Sequence, residues 1–391
     1  MHILFVNNNM HIGGVQKALL NLVCELHQRH DVTLLLLYRG GELLDRIPGD
    51  VEVLEASSPL RFWGMSKFDV HDASELMGRS AWAGLTRLLG RGASCRLAGL
   101  FERDLGTFDV AVSYLHSGNP KAFYGGCAEY VLSCAKAPTK ICFMHNDYRQ
   151  IRATSAYNKR LYASFDAIAA CSNGCRDAFL EVAPQLEGKT AVVHNCVGYA
   201  EARRLAAADV VSLPTGRLNV LTVARLGREK GVLRAIRAVA SLVESGHPVT
   251  YHVAGSGAEL GAARELVKEL GVGNSVVLHG ELGNPYPLMA ACDLLLIPSY
   301  AEAAPLVVGE AACLGTPVLS TKTSSAVEMV EDAGYGWVCD NTDEGILSSL
   351  ASLVQDPDLL EERSAALRGM AFDDGIAIAQ FEKLISGGVG L

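Results

Sequence analysis

No stretch of this 391-residue chain reaches the roughly 18 consecutive apolar residues that a membrane-spanning helix needs. The N-terminus, MHILFVNNN, lacks the basic segment and apolar core of a signal peptide. These absences lead us to expect a cytoplasmic protein, and they leave open peripheral contact with the inner face of the membrane. A paired C-x-x-C framework is also missing. The 11 cysteines scatter among apolar residues, as at Cys142, Cys171, Cys292 and Cys313. The nearest pair, Cys171 and Cys175, has no second pair to complete a zinc site. Buried thiols in a reducing compartment are the expectation. The chain has no excess of positive charge either. Its net charge of −9 argues against a general nucleic-acid binder. What remains is ordinary globular material, 49% hydrophobic and 20% charged, in a length that suits two or three domains.

The apolar runs alternate with helical patterns. Residues 2–6 read as a buried strand, followed by Gly13-Gly14, an amphipathic helix over 15–26 and a strand over 32–37. Further strands are expected at 110–114, 140–144, 167–171 and 191–194, with a helix over 157–164. The pattern is less clear between 57 and 103. There Trp82, Leu85, Leu88 and Leu89 share a helical face, with Arg79, Arg87, Arg91 and Arg96 around them and no acidic residue between. The pattern loosens over 201–218, and a domain boundary is placed there. A second series follows: strands at 219–223, 250–254, 276–279, 294–298 and 318–320, and helices at 231–245, 262–270, 287–291 and 305–314. The expected division is 1–200, 215–370, and a last helical segment in 371–391. Such alternation predicts two doubly wound α/β domains whose ligand crevices lie at the carboxyl ends of their strands.

Three segments of the second series carry chemistry. In 298–320, PSYAEAAPLVVGEAACLGTPVLS, Pro305 suits a first helical turn and Gly315 the position just after the last. Glu302 then precedes the helix and Glu310 lies inside it. The free N–H groups around Pro305, Leu306 and Val307 suit a phosphate, and carboxylates suit the vicinal hydroxyls of a sugar. Two glutamates eight apart also occur by chance, and acidic residues near a helix start are ordinary. In 223–231, VARLGREKG, Arg225 and Lys230 follow a strand and suit a diphosphate; a solvated basic loop is the plain alternative. Gly255-Ser256-Gly257 follows another strand but lacks the third glycine of a dinucleotide fingerprint. In the first series, His145 ends a strand, where a lone histidine is often merely structural.

Together these segments resemble the family-4 glycosyltransferases of the GT-B fold, over nearly the whole chain and most strongly from 219 to 337. The resemblance implies two Rossmann-like domains with parallel sheets facing across a deep cleft. It implies that Arg225 and Lys230, in an R-x4-K-G loop, hold a donor diphosphate. In an E-x7-E motif it places Glu302 at the donor sugar and Glu310 on ribose. It also points to Gly13 and Gly14 at the phosphates and acceptor, to His145 beside the sugar, and to a last helix that crosses back to the first domain. Ala303 and Ala224 stand where the family usually has glycine, which bears on donor identity. The implied reaction is retaining transfer from a nucleotide-diphosphate sugar to a glycan or lipid-linked acceptor in bacterial surface polysaccharide assembly. UDP-sugar is the first expectation and GDP-mannose the second, with no metal and no further cofactor, since no Asp-x-Asp motif stands in a matching position. The alternatives are a non-catalytic partner subunit of the same fold and a sugar-nucleotide epimerase. A phosphorylase is disfavoured by the lack of a lysine-bearing pyridoxal phosphate segment. The Arg-rich stretch from Arg79 to Arg103 suits either an anionic membrane or an ordinary solvated helix.

Overall fold

The computed structural model describes residues 1–66, 69–149 and 155–387. The chain forms two compact units, Met1–Cys196 with the chain from Gly375 onward, and Val197–Asp374.

The first unit holds β1 (His2–Asn7), β2 (Asp31–Leu36), β3 (Glu52–Glu55), β4 (Val110–Ser113), β5 (Thr139–Met144), β6 (Ala167–Ala170) and β7 (Thr190–Val192). Its helices are α1 (Gly14–Leu26), α2 (Ala73–Leu89), α3 (Arg91–Gly99), α4 (Cys127–Ser133), α5 (Ala156–Ala163) and α6 (Asn173–Val182). The strands run parallel in the order β3-β2-β1-β4-β5-β6-β7. Covered on both faces, the central strands are continuous apolar runs. Edge strand β3 is only half-buried, which is why its alternating VEVLE gives no such run.

The second unit holds β8 (Leu218–Val223), β9 (Val249–Ala254), β10 (Val276–Gly280), β11 (Leu294–Ile297), β12 (Val318–Thr321) and β13 (Gly336–Cys339), parallel in the order β10-β9-β8-β11-β12-β13. Its helices are α7 (Tyr199–Ala206), α8 (Val232–Glu244), α9 (Leu260–Glu269), α10 (Tyr286–Ala291), α11 (Leu306–Cys313), α12 (Asp343–Gln355) and α13 (Pro357–Arg368). Helix α7 occupies part of the stretch read as loosened. Its Arg and Glu residues face outward while Ala202 is buried in the cluster that includes Met289 of α10 and Val308 of α11, so its polar composition hides a packed helix. Strand β13 and helices α12 and α13 complete the unit beyond the last strand read from sequence.

The final helix, α14 (Gly375–Ile385), belongs to the first unit. Phe381 is fully buried there, with ring centroids 5.6 Å from Phe5 of β1 and 6.2 Å from Phe143 of β5. Residues 388–391 of the expected last segment lie outside the described residues. The two places where the chain passes between units are tied to each other. The Asp374 carboxylate accepts from the N–H groups of Val197 at 2.6 Å and Gly198 at 2.9 Å. All 11 cysteines are free thiols, most of them buried.

In both sheets strand order reverses once, between β1 and β4 and between β8 and β11. Open α/β sheets bind ligands outside the carboxyl ends of the strands at such a reversal, so the fold directs attention to the loops after these four strands.

Candidate active site

In the second unit, the loop after β8 carries Arg225 and Lys230, and the loop after β11 carries Ser299 and Glu302. The Lys230 ammonium donates to Glu302 Oε1 at 2.7 Å, and the Ser299 hydroxyl donates to the same oxygen at 2.6 Å. Neither charge is fully solvated, the side chains being 24% and 11% exposed. Further bonds hold these loops in place, one between them and one from Ser324 in the loop after β12. Tyr300 N–H donates to the Glu229 carbonyl at 2.8 Å. Ser324 Oγ donates to the Glu302 carbonyl at 2.7 Å. Gly231 has φ +66°, and a Cβ there would lie 2.0 Å from the Pro298 carbonyl oxygen. Only glycine lets the β8 loop close so tightly on the end of β11.

Arg225 is directed elsewhere. Its guanidinium is mostly exposed and donates to Glu229 at 2.9 Å. Gly255 and Gly257 lie behind this loop. A Cβ on Gly255 would sit 1.8 Å from the Ala224 carbonyl oxygen, and Leu226 N–H donates to the Ser256 carbonyl at 2.8 Å. In this structure the glycine pair therefore shapes the Arg225 loop through close backbone approach.

Pro305 is the N-cap of α11, with φ −71° and ψ 120°, rather than a residue of its first turn. That turn starts with Leu306 and Val307, whose N–H groups have no partner within the helix by construction of the α-helical ladder. Gly315, at φ +82°, follows the helix end as the sequence suggests. Glu310 is buried, and the Tyr286 hydroxyl of α10 donates to it at 3.3 Å.

Sequence reasoning missed Arg234. It sits in the first turn of α8, is 2% exposed, and donates to the Pro298 carbonyl at 2.8 Å and to Asn341 Oδ1 at 2.7 Å. Its guanidinium lies 3.9 Å from the ring centroid of Tyr300. A cation so buried braces the base of the Glu302 loop and adds positive field behind it.

In the first unit, β1 leads through the buried Asn7, Asn8 and Asn9 to Gly13, the N-cap of α1, and Gly14. Gly13 is extended, at φ −171°, and a Cβ on it meets closely only the far end of the Gln16 side chain, with the His11 carbonyl oxygen at an ordinary 3.9 Å. A Cβ on Gly14 meets no atom within 4 Å. Internal packing requires neither glycine. Close by, His11 stands between two carboxylates, its Nε2 2.8 Å from Asp69 Oδ1 and its Nδ1 3.3 Å from Glu42 Oε2. Those partners are distant in sequence, so no local pattern betrays the arrangement.

His145 follows β5 and is buried, its ring 4.7 Å from that of Tyr114 and 5.5 Å from that of Phe143. Burial, reinforced by neighbouring His116, pushes its pKa down to about 3. It is therefore neutral near pH 7, and its buried Nε2 has no hydrogen-bond partner among the described residues. His116 is pushed down to about 4 by burial, then by Arg91, and accepts from Asn146 Nδ2 at 2.8 Å. The arginines of the 79–103 stretch do not share one fate. Arg91 is buried and pairs with Glu129 at 2.8 Å, so it is neither a solvated nor a membrane-facing charge.

The structure thus joins Lys230 directly to Glu302, sets Gly255 and Gly257 behind Arg225, pairs Glu310 with Tyr286, and places Gly13, Gly14 and His145 in the first unit.

Known proteins resemble this chain in sequence and in fold. Residues 206–369 match the family model for glycosyl transferases group 1. The lipopolysaccharide glucosyltransferase WaaG of Escherichia coli K12 is 40% identical over 110 residues, 28% of this chain and 29% of its own. Glycogen synthase of Mycobacterium tuberculosis is 28% identical over 227 residues, 56% of this chain and 52% of its own. The matched stretches span about half or less of these relatives' length. In fold, Anabaena HepE in complex with UDP superimposes with a TM-score of 0.68 at 18% identity, covering 99% of this chain and 100% of that one. The chain therefore has the GT-B fold, and most of its second unit matches the glycosyl transferases group 1.

Proposed function

We propose that this protein moves a sugar from a nucleotide-diphosphate sugar to a hydroxyl of a glycan or lipid-linked acceptor, in the assembly of a bacterial surface polysaccharide. The observation that carries the reading is the Lys230–Glu302 pair at the strand-order reversal of the second sheet, beside the N-terminus of α11. Such a site suits a diphosphate on the cation and backbone N–H groups and a hydroxylated sugar on the carboxylate. That HepE is a UDP complex and WaaG a glucosyltransferase supports a UDP-sugar as donor.

In this mechanism the glycosidic bond to the diphosphate breaks as charge accumulates on the leaving oxygens. Lys230, Arg225 and the first N–H groups of α11 stabilise that charge where it develops. Arg225 leaves Glu229 to do so. Glu302 keeps Lys230 oriented and accepts from sugar hydroxyls, and Glu310 accepts from ribose. By the family likeness we assign Gly13 and Gly14 to phosphate and acceptor and His145 to the sugar. We take the reaction to be retaining and metal-independent, with the enzyme working from the inner face of the membrane or the cytoplasm.

The test is thermal-shift titration with UDP, GDP and ADP and their sugar conjugates. It is followed by nucleotide release, with and without EDTA, in the presence of acceptor extracts. A ligand at 100 times its dissociation constant stabilises by about 2.7 kcal/mol. Stabilisation by one nucleotide class, with release of that nucleotide on acceptor addition, is the expected result. If no nucleotide stabilises the protein, the donor-site reading is wrong.

A further inference from the structure

Helices α2 and α3 carry an outward surface that the transfer reaction does not use. They form a hairpin turned at Gly90 (φ +81°), with the Thr86 and Ser94 hydroxyls 3.0 Å apart inside it. The inner side of α2 packs Trp82 against Trp63 at 5.5 Å between ring centroids. Its outer side should then carry charge, as solvent-facing helix surfaces do. Instead it presents Leu76, Met77 and Leu88, which are 54%, 72% and 81% exposed, with Ser80, Gly84 and Arg87 on the same face. On α3 the exposed positions 93, 96, 97 and 100 form one i, i+3, i+4, i+7 stripe ending at Leu97 and Leu100, and Phe101 follows at 64% exposed. The exposed large apolar side chains of the described residues concentrate in this hairpin.

Charge on this surface has one sign. Residues 76–101 contain four arginines and no Asp, Glu or Lys, in a chain whose net charge is −9. Arg91 is neutralised by Glu129, and Arg79 is held by the Met65 carbonyl and the Phe123 ring. Arg87 and Arg96 are exposed beside the apolar stripes. The nearest acids are occupied: Asp72 caps α2, Glu75 pairs with Arg61 at 3.1 Å, and Glu102 accepts from Ser57. An apolar stripe flanked by arginine without acid matches a surface that is anionic at its face and hydrocarbon beneath.

We infer that the outer face of the α2–α3 hairpin docks on an anionic lipid bilayer, inserting Leu88, Leu100 and Phe101 and setting Arg87 and Arg96 against lipid phosphates. The inference stands independently of the transfer reaction. Flotation of the full chain with vesicles of phosphatidylcholine alone, or with phosphatidylglycerol added, tests it. Wild type floats with the phosphatidylglycerol vesicles, stays behind with phosphatidylcholine alone, and is released by high salt. Leu88→Glu with Leu100→Glu lowers partitioning at least about ten-fold. Arg87→Glu with Arg96→Glu lowers it at least about 30-fold, at roughly five-fold for each positive charge lost. Thermal midpoints stay unchanged, because these side chains are exposed. Failure of wild type to float at low salt overturns the inference, as does flotation of both double variants at the wild-type level. A wild-type dimer that Leu88→Glu converts to monomer also overturns it, and assigns the face to a second copy. Nucleotide stabilisation is measured separately on the same variants, so loss of membrane binding is distinguishable from failure of the donor site.

Discussion

Replacing Lys230 by Met removes the ammonium and keeps most of the side-chain volume. In the resting protein this leaves the Glu302 carboxylate, 11% exposed, with the Ser299 hydroxyl on Oε1 and no cation beside it. Breaking a buried pair costs about 3–5 kcal/mol. The Lys230 side chain is 24% exposed, so water reaches the site and we place the stability loss nearer 1–2 kcal/mol, the lower end expected for an unmade charged hydrogen bond. The larger effect falls on the reaction. If Lys230 stabilises the leaving diphosphate, its removal costs about 10²–10³ in turnover, as loss of one donor to developing charge does elsewhere. Donor binding, by contrast, loses only the roughly 1.5–3 kcal/mol of a charge-assisted hydrogen bond. Glu302→Gln separates the two roles, because it removes the negative charge that Lys230 now neutralises. Nucleotide binding should hold or tighten in this variant while turnover falls. The assay is single-turnover nucleotide release, with calorimetric nucleotide affinity and a urea midpoint on each protein. Turnover of Lys230→Met within five-fold of wild type, in a protein that still binds nucleotide, refutes the assignment of Lys230 to the leaving group.

Gly14→Ala should leave the thermal midpoint unchanged or slightly raised, since the added Cβ meets nothing within 4 Å and alanine is the better helix former. A fall in turnover in that background then reports approach of a ligand rather than damage to the fold, whereas wild-type turnover removes Gly14 from the site. Arg234→Met strands the Pro298 carbonyl and Asn341 and should cost about 1–3 kcal/mol of stability. It should also raise the donor KM, and Arg234→Lys should rescue neither fully because it cannot make both bonds and stack. His145 and His116 are held neutral in the fold, with pKa values pushed down to about 3 and about 4, whereas unfolded histidine titrates near about 6.5. Here the unfolded state binds the extra protons, so stability is full above about pH 6.5 and is lost as pH falls toward the folded values. At about pH 5 each histidine should cost roughly 2 kcal/mol. His145→Gln should flatten the urea midpoint against pH over that window, and an unchanged slope would contradict the burial argument.

Much of this was legible in the sequence for a physical reason. Strands of a parallel sheet are covered on both faces, so ILFV in β1 and LLLI at β11 read as unbroken apolar runs. Gly315 and Pro317 mark a helix end through backbone geometry alone. That Lys230 and Glu302 belong to one site was implied by a family likeness rather than by any local rule, and their direct ion pair, across 72 residues of chain, was not read at all. Arg234 was illegible. Between Leu233 and Ala235 it looks like one more solvated cation, and only the fold reveals the Pro298 carbonyl above it. His11 is the same case, since Glu42 and Asp69 arrive from other loops. Helix α7 was hidden by its composition, in which a single buried face of small residues sits under exposed Arg and Glu. The edge strand β3, with one face of its pleat open to water, gave too weak a pattern to read.

The placement of Phe381 between Phe5 and Phe143 bears on the order in which the chain becomes structured. Strand β1 is completed by α14, which is made after the whole second unit. Contacts of such separation are formed late, because the intervening chain must be closed before they can be made. The second unit is continuous from Val197 to Asp374 and meets no such delay. It should acquire its protease resistance during synthesis, whereas the first unit, although begun earlier, should acquire its own only once α14 has emerged. Pulse-labelled nascent chains of increasing length, digested with protease, would display that inversion directly.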